Sequence, residues 1–500
     1  MKCEDFIKQA ELAVFIPGYI KVYEKEFNES FLTQKLIKKA ACNTISPRFF
    51  FSEVYTEKVS TFQVKSQRLP RKVTVEYELE GNSKKFQVEP EIYLSLIREP
   101  IKIQNPGERS FFLIPIALSA VIENAPTSID GLISLPFFLA WESECGEGKC
   151  NKEERYNLFV CQLEEVLGEI MGESAEVHLS NRGRFFIVSL ELHWKEVQGI
   201  FGENATVEDF IKRFSREFYG LAVTDEGYRA VKEDYARDRI ESWNLGNRIY
   251  FSKLISPVSI IQVKADRNRV EFEKMTLSKC SIWKEHVLNH SKERERRTMC
   301  HHGLFHQGEY LALTFATIDV FKSLTKSIMA YSKEHRRGKV SDIEKLLRTI
   351  ENAGVHMESL LKTLNPRRVS KIPELTTIIE RMYEARGLSS FYGEVKEALQ
   401  ALTGIMAEGE ELIEKRLERE KFQHLEIGIT LLEALPLGYV LQGVFQLLGL
   451  EIPTPLVVGA TVPLLLFLWW KYKSTRISRW EREQTDNFMK MAEKVLESLF

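Results

Sequence analysis

The chain has 500 residues, of which 44% are hydrophobic and 28% charged, and its formal net charge is -2. The composition is that of an ordinary globular protein, and the length is sufficient for two or three domains. The near balance of charge gives no electrostatic reason to expect a nucleic-acid partner. The seven cysteines are odd in number and scattered along the chain, which argues against a disulfide framework and fits a reducing compartment.

Residues 1–200 show the alternation of apolar and polar side chains that indicates β-strands. Alternation from Val73 to Leu79, followed by a Gly-Asn-Ser turn, predicts a β-hairpin with the next apolar segment. A second hairpin is predicted between 175–179 and 188–192, across an Asn-Arg-Gly turn. Together with a short helical pattern, these signals predict an α+β cytoplasmic domain.

Residues 201–304 form a second α+β segment, which is either a small domain or the completion of the first sheet. Thr206 is predicted to cap a helix that carries Phe210, Phe214 and Phe218 on one face, an apolar stripe typical of a buried helix. Farther along, β-branched residues cluster as they do in strands.

The densest group of potential metal ligands lies at the end of this segment. His286 and His290 are four residues apart and would share one face of a helix, while Cys300 and His302 are suitable to complete a tetrahedral zinc site. The spacing matches no strong zinc signature, so structural or surface histidines are the other interpretation. Zinc is the only cofactor that the sequence suggests.

Residues 305–426 change to a helical periodicity and are predicted to form a helical layer and a stalk. Pro373 suits the first turn of one helix, which ends at Gly387. The next helix begins near Ser390 and places apolar residues at nearly heptad spacing, the pattern of a coiled coil. It continues without a proline into the apolar run that follows.

Two apolar runs, Ile427–Leu450 and Ile452–Trp470, are each near the roughly 20 residues that cross a bilayer core, and they predict a transmembrane hairpin over 427–470. Lysines and arginines flank both ends but are absent from the connecting loop, so the positive-inside rule places both termini in the cytoplasm. The chain is therefore expected to be a multi-pass cell-membrane protein, with 471–500 as a cytoplasmic amphipathic tail helix. The alternative is that the two runs are buried core helices.

Four residues of the first run recur at steps of three and four and so share one face of a helix: Gly438, Gln442, Gln446 and Gly449. Small residues allow close backbone approach and glutamine amides bond across helices, so this helix-association seam joins subunits of a homo-oligomer or packs the two spans of one hairpin. Glu433 lies about 180° from Gln442 and outside the seam. As an ionisable residue in a span, it is either functional or near enough to the entry to reach the interface.

The order of a cytoplasmic domain, a helical layer, a stalk helix and two spans resembles that of the CorA-like metal-ion transporters, over about residues 305–473. That family ends its first span with Gly-Met-Asn, whereas residues 448–453 of this chain read Leu-Gly-Leu-Glu-Ile-Pro. No functional residue is therefore carried over from the family.

Two functions follow from these expectations. Because phosphate-binding, nucleophile-elbow and H-E-x-x-H motifs are absent and the hairpin has few ionisable groups, the first is a non-catalytic membrane-anchored sensor, scaffold or regulatory module. The second, implied by the resemblance, is an oligomeric ion channel or transporter. An enzyme without a recognisable motif is a third interpretation. The expected partners are the lipid bilayer and further copies of the chain, and the sequence names no other protein.

Overall fold

A computed structural model describes residues 2–23, 58–64, 66–69, 71–79, 82–103, 110–137, 139–140, 152–172, 175–180, 183–245, 251–266, 304–336, 339–370, 373–448 and 454–497. These residues form two compact units. The first unit comprises the described residues of 1–103, 109–322 and 356–393, and the second those of 323–355 and 394–500.

The described strands are β1 (Ile7–Tyr23), β2 (Val59–Gln63), β3 (Val73–Leu79), β4 (Asn82–Val88), β5 (Glu91–Ile97), β6 (Ile101–Ile103), β7 (Phe111–Ala125), β8 (Ala175–Leu179), β9 (Phe185–Leu192), β10 (Phe251–Ile255) and β11 (Ser259–Ala265). The described α-helices are α1 (Ile129–Ser134), α2 (Lys152–Met171), α3 (Trp194–Phe201), α4 (Val207–Arg213), α5 (Ser215–Val223), α6 (Glu233–Trp243), α7 (Leu304–Glu334), α8 (Val340–Thr363), α9 (Pro366–Val369), α10 (Pro373–Ala385), α11 (Leu388–Leu447) and α12 (Thr454–Glu497).

Nine of these strands form one sheet in the first unit, with the order β10-β11-β9-β1-β7-β5-β2. The long strands β1 and β7 pair antiparallel at its centre. β8 and β9 pair with two successive parts of β1, and β6 and β5 with two parts of β7. β11 runs parallel to β9 and antiparallel to β10. The strands of the second α+β segment thus complete the first sheet.

Of the two predicted hairpins, the first is confirmed and the second was wrong. β3 and β4 pair antiparallel along their whole length. β8 and β9 each pair with β1 instead of with each other, β8 opposite Gly18–Val22 and β9 opposite Ile7–Phe15. Alternation identifies both segments as strands but does not select their partner, and β1 is long enough to pair with both.

One face of the sheet packs into the main hydrophobic core of the first unit. Leu12, Val14 and Ile16 of β1 lie on this face, where they are buried in one cluster with side chains from α1 to α6. The opposite face carries Phe15, whose ring stacks on Phe185 at 5.0 Å, and it packs against the start of α7. The two faces of the sheet therefore pack against different helices.

Helix α4 begins as the sequence predicts. The Thr206 hydroxyl accepts the backbone N–H of Asp209, and the Asp209 carboxylate accepts the backbone N–H of Thr206, which completes a capping box. Phe210, Phe214 and Phe218 are buried in the core, and the Phe210 ring contacts the other two. The cap is confirmed and the three rings are buried, but the prediction that one helix carries all three was wrong. α4 ends at Arg213, Phe214 separates it from α5, and Phe218 belongs to α5.

Gly18 of β1 occupies a position that excludes a side chain. A Cβ there would lie 2.9 Å from Leu179 Cδ2 and closer still to the carbonyl oxygen of His178. Because a neighbouring backbone atom cannot move aside cheaply, we expect Gly18→Ala to lower the free energy of unfolding by about 2 kcal/mol. Urea titration against Gly199→Ala, whose Cβ would meet nothing within 4 Å, checks this expectation. Equal stability of the two variants would contradict it.

The predicted transmembrane hairpin was wrong. Among the residues that the structure describes, no helix combines the length and the apolarity that crossing a membrane requires. In the described chain, α11 carries the first apolar run to Leu447 and α12 carries the second from Thr454, and the two helices contain Pro436 and Pro463. The multi-pass cell-membrane localisation that rested on these runs is not supported.

The second unit consists of helices. It contains the parts of α7 and α8 nearest their connection, most of α11, and α12. α11 is a single helix of 60 residues, and α12 is a single helix of 44 residues that includes most of the predicted tail. Phe488, Met489, Ala492 and Leu496 form the buried face of α12.

Candidate functional site

The residues predicted as a zinc site, His286, His290, Cys300 and His302, lie outside the described residues. Their metal binding stays a prediction. Within the described ranges, no group of three or more histidine, cysteine, aspartate or glutamate side chains is placed to hold a metal ion.

The predicted seam falls on the first of the two long helices. Gly438, Gln442 and Gln446 belong to α11, as does Glu433, whereas Gly449 lies outside the described residues. The structure gives the course of the helix at these positions but does not describe their side chains. The seam therefore stays a prediction.

Ion pairs join α11 to α12 in an antiparallel hairpin. The Lys473 ammonium pairs with Glu426 at 2.5 Å, and Arg416 Nε lies 3.1 Å from Glu481. The paired positions rise along α11 from 416 to 426 and fall along α12 from 481 to 473, so the two helices run antiparallel. They bring the two helices together below the apolar part of the hairpin.

Beyond these ion pairs, apolar side chains of both helices face solvent. They are Ile429, Val440, Val444, Leu447 and Leu448 of α11, and Leu464, Phe467, Leu468 and Trp470 of α12. Their exposed fractions range from 46% to 88%. We call this set the apolar hairpin surface. Because monomeric proteins rarely leave large apolar patches in water, such a surface marks a site of interaction.

A second candidate lies in the first unit, where the start of α7 meets the sheet. Thr61 of β2 and Ser95 of β5 stand opposite each other, and both hydroxyls donate to Glu309 Oε1, Ser95 at 2.5 Å. His306 Nδ1 lies 2.9 Å from Glu309 Oε2. All four side chains are buried, and we call them the buried quartet.

Helix and sheet geometry both contribute to the buried quartet. His306 and Glu309 are three residues apart and so lie on the same face of α7, while strand pairing sets Thr61 beside Ser95. Burial by itself raises the pKa of Glu309. The hydrogen bond and charge attraction of His306, followed by the two hydroxyls, outweigh it, and the pKa of Glu309 lies below its ordinary value of 4.5. The carboxylate is therefore held ionised inside the protein.

A row of buried polar side chains crosses the same face of the sheet. Lys253, Gln262, Ser189 and Glu11 stand on four neighbouring strands, each opposite the next. The Lys253 ammonium donates to Gln307 Oε1 of α7 at 3.2 Å. The start of α7 is therefore joined to the sheet by polar contacts as well as by aromatic packing.

The buried quartet is suited to holding α7 on the sheet. Glu309 is fully buried, and both of its carboxylate oxygens already accept from or contact protein groups. General acid or base catalysis needs a carboxylate within hydrogen-bonding reach of a substrate, which this environment does not provide. The apolar hairpin surface is accessible, and it is the better candidate for a functional site.

Sequence reasoning does not find the buried quartet because its members are far apart in the chain. Ser95 is separated from Thr61 by 34 positions and from Glu309 by 214. The one available signal is a histidine and a glutamate three residues apart at the start of a largely apolar helix.

No known protein family, curated protein or solved structure matches this chain. The resemblance to the CorA-like transporters, ion transport as a function and the lipid bilayer as a partner therefore stay predictions.

Proposed function

We propose that the chain is a non-catalytic scaffold or regulatory module that binds the helices of a protein partner through the apolar hairpin surface. The exposure of nine apolar side chains on two neighbouring helices is the observation that supports this function. Burial of such surface provides about 25 cal/mol per Å², so a partner that covers it gains stability in proportion to the area removed from water.

The composition of the surface favours a helical protein partner over a small polar ligand. Between Glu426 and Lys471 the only acidic or basic residues are Glu433 and Glu451, so the surface offers few charged groups to recognise a charged ligand. Apolar residues on a helix face are the usual means by which helices pack against each other.

Site-specific photocrosslinking of the full chain in cells tests this function. A photoreactive phenylalanine analogue at Leu447, which is 88% exposed, is expected to give a protein adduct of discrete mass. The matched control is the same analogue at Val355, an apolar residue of α8 that is 65% exposed and outside the hairpin. An adduct at both positions, or at neither, would contradict the proposal.

A further inference from the structure

The exposed apolar residues of α11 follow a regular spacing. Ile429, Pro436, Val440, Val444 and Leu447 are exposed, and they succeed one another at steps of seven, four, four and three residues. At 100° per residue these positions occupy a stripe about 80° wide along the helix. Steps that alternate around 3.5 residues are the spacing at which one helix packs along another.

α12 presents a second set on the same hairpin. Leu464, Phe467 and Leu468 share one side of α12 and are each more than half exposed. A single partner helix covers one such stripe, whereas a pair of helices covers two. We therefore expect the partner to contact this surface with two helices.

The size of the surface agrees with a stable protein interface. At about 150 Å² for each fully exposed apolar side chain, the exposed parts of the nine residues amount to roughly 800 Å², one partner's share of a standard interface. By helical periodicity the stripe side of α11 carries one acidic residue of the apolar run, Glu433, and is otherwise apolar there. A two-fold axis brings the same patch of both chains together.

We propose that the partner is a second copy of this chain and that two α11–α12 hairpins form a four-helix bundle through their apolar hairpin surfaces. This inference rests on the proposed function and names the partner of the same site. The seam of Gly438, Gln442 and Gln446 falls on the opposite side of α11 by helical periodicity. The subunit contact is thus assigned to the exposed stripe and not to the seam.

The mass of the purified full-length chain in solution, measured by light scattering over a range of concentrations, tests the inference. The wild-type chain is expected to have the mass of two chains. Val440→Glu combined with Leu447→Glu places charges in the stripe and is expected to raise the dissociation constant of the dimer at least 100-fold. Val355→Glu puts the same charge on an exposed apolar position elsewhere, and it is expected to leave the dimer intact.

Circular dichroism of each variant distinguishes loss of the dimer from loss of the folded structure. A helical content equal to that of the wild type, together with loss of the dimer only in the stripe variant, supports the inference. A monomeric wild type, or a dimer that survives both stripe substitutions, overturns it. A monomer that gives a Leu447 adduct with a different protein overturns this inference but leaves the proposed function standing. A monomer with no adduct, or one that binds only lipid vesicles, overturns both.

Discussion

Replacing Glu309 with alanine is expected to lower the free energy of unfolding by about 3 kcal/mol. The substitution removes the acceptor of the Thr61 and Ser95 hydroxyls and the carboxylate beside His306, all in a buried environment. Donors that lose their acceptor inside a protein keep the cost of desolvation without the hydrogen bond, and the shortened side chain leaves a cavity.

Urea titration of the wild type and three variants measures this effect. Glu309→Gln keeps the volume and a carbonyl acceptor, so we expect a smaller loss than for alanine. Glu334→Ala removes an exposed carboxylate from the last turn of the same helix, and we expect a change within about 0.5 kcal/mol. A Glu309→Ala variant as stable as Glu334→Ala would show that the buried quartet does not hold α7.

The same carboxylate predicts a dependence on pH. Because the pKa of Glu309 in the folded chain lies below the ordinary value of 4.5, its contribution is fully present above that value and is lost as the pH falls through the folded pKa. The stability difference between wild type and Glu309→Gln should therefore be constant near neutral pH and shrink below 4.5. A difference that grows on acidification would contradict the assignment.

Gly308→Ala is expected to destabilise the chain by about 2–3 kcal/mol, although alanine is the better helix former. Gly308 lies in the second turn of α7, and its missing side chain allows the helix to approach the sheet. A Cβ there would lie 2.7 Å from Ile187 Cδ1 and closer still to the Phe15 ring. The rings of Phe15 and Phe185 are stacked, so the contact cannot relax by a simple rotation of Phe15.

Gly354 provides a control of opposite sign for this prediction. It lies within α8, and an added Cβ would meet nothing within 4 Å. Gly354→Ala is therefore expected to raise the free energy of unfolding by about 0.5–1 kcal/mol through helix propensity alone. Urea titration of both variants decides the matter, and a gain in stability for Gly308→Ala would mean that α7 and the sheet are not in close contact.

The predictions for Glu309 and Gly308 concern the face of the sheet that packs against α7. The sequence alone indicated no function for this face. Thr61, Ser95 and Glu309 become neighbours only when β2 pairs with β5 and α7 lies across them. Each residue by itself is an ordinary polar position in a strand or helix. The two apolar runs that form the apolar hairpin surface were recognised in the sequence. They were interpreted as membrane spans and not as a protein-binding surface.

Features that depend on neighbours along the chain could be predicted from the amino-acid sequence. The β3–β4 hairpin follows from alternation and a turn, the start of α4 from Thr206 as N-cap, and the start of α10 from Pro373. The continuity of α11 follows from sustained helical periodicity. Local backbone preferences and the nearest hydrogen bonds decide such features, and both are written in a few consecutive residues.

Contacts between distant segments depend on how the whole chain packs and could not be predicted in this way. The tertiary structure paired β8 and β9 with β1, placed Glu309 against two strand hydroxyls, and left nine of the described apolar side chains of α11 and α12 exposed on a hairpin. An apolar run has the same composition whether lipid, a protein core or a second chain covers it. Only the packing of the whole chain shows which of its faces is already covered and which is available to a partner.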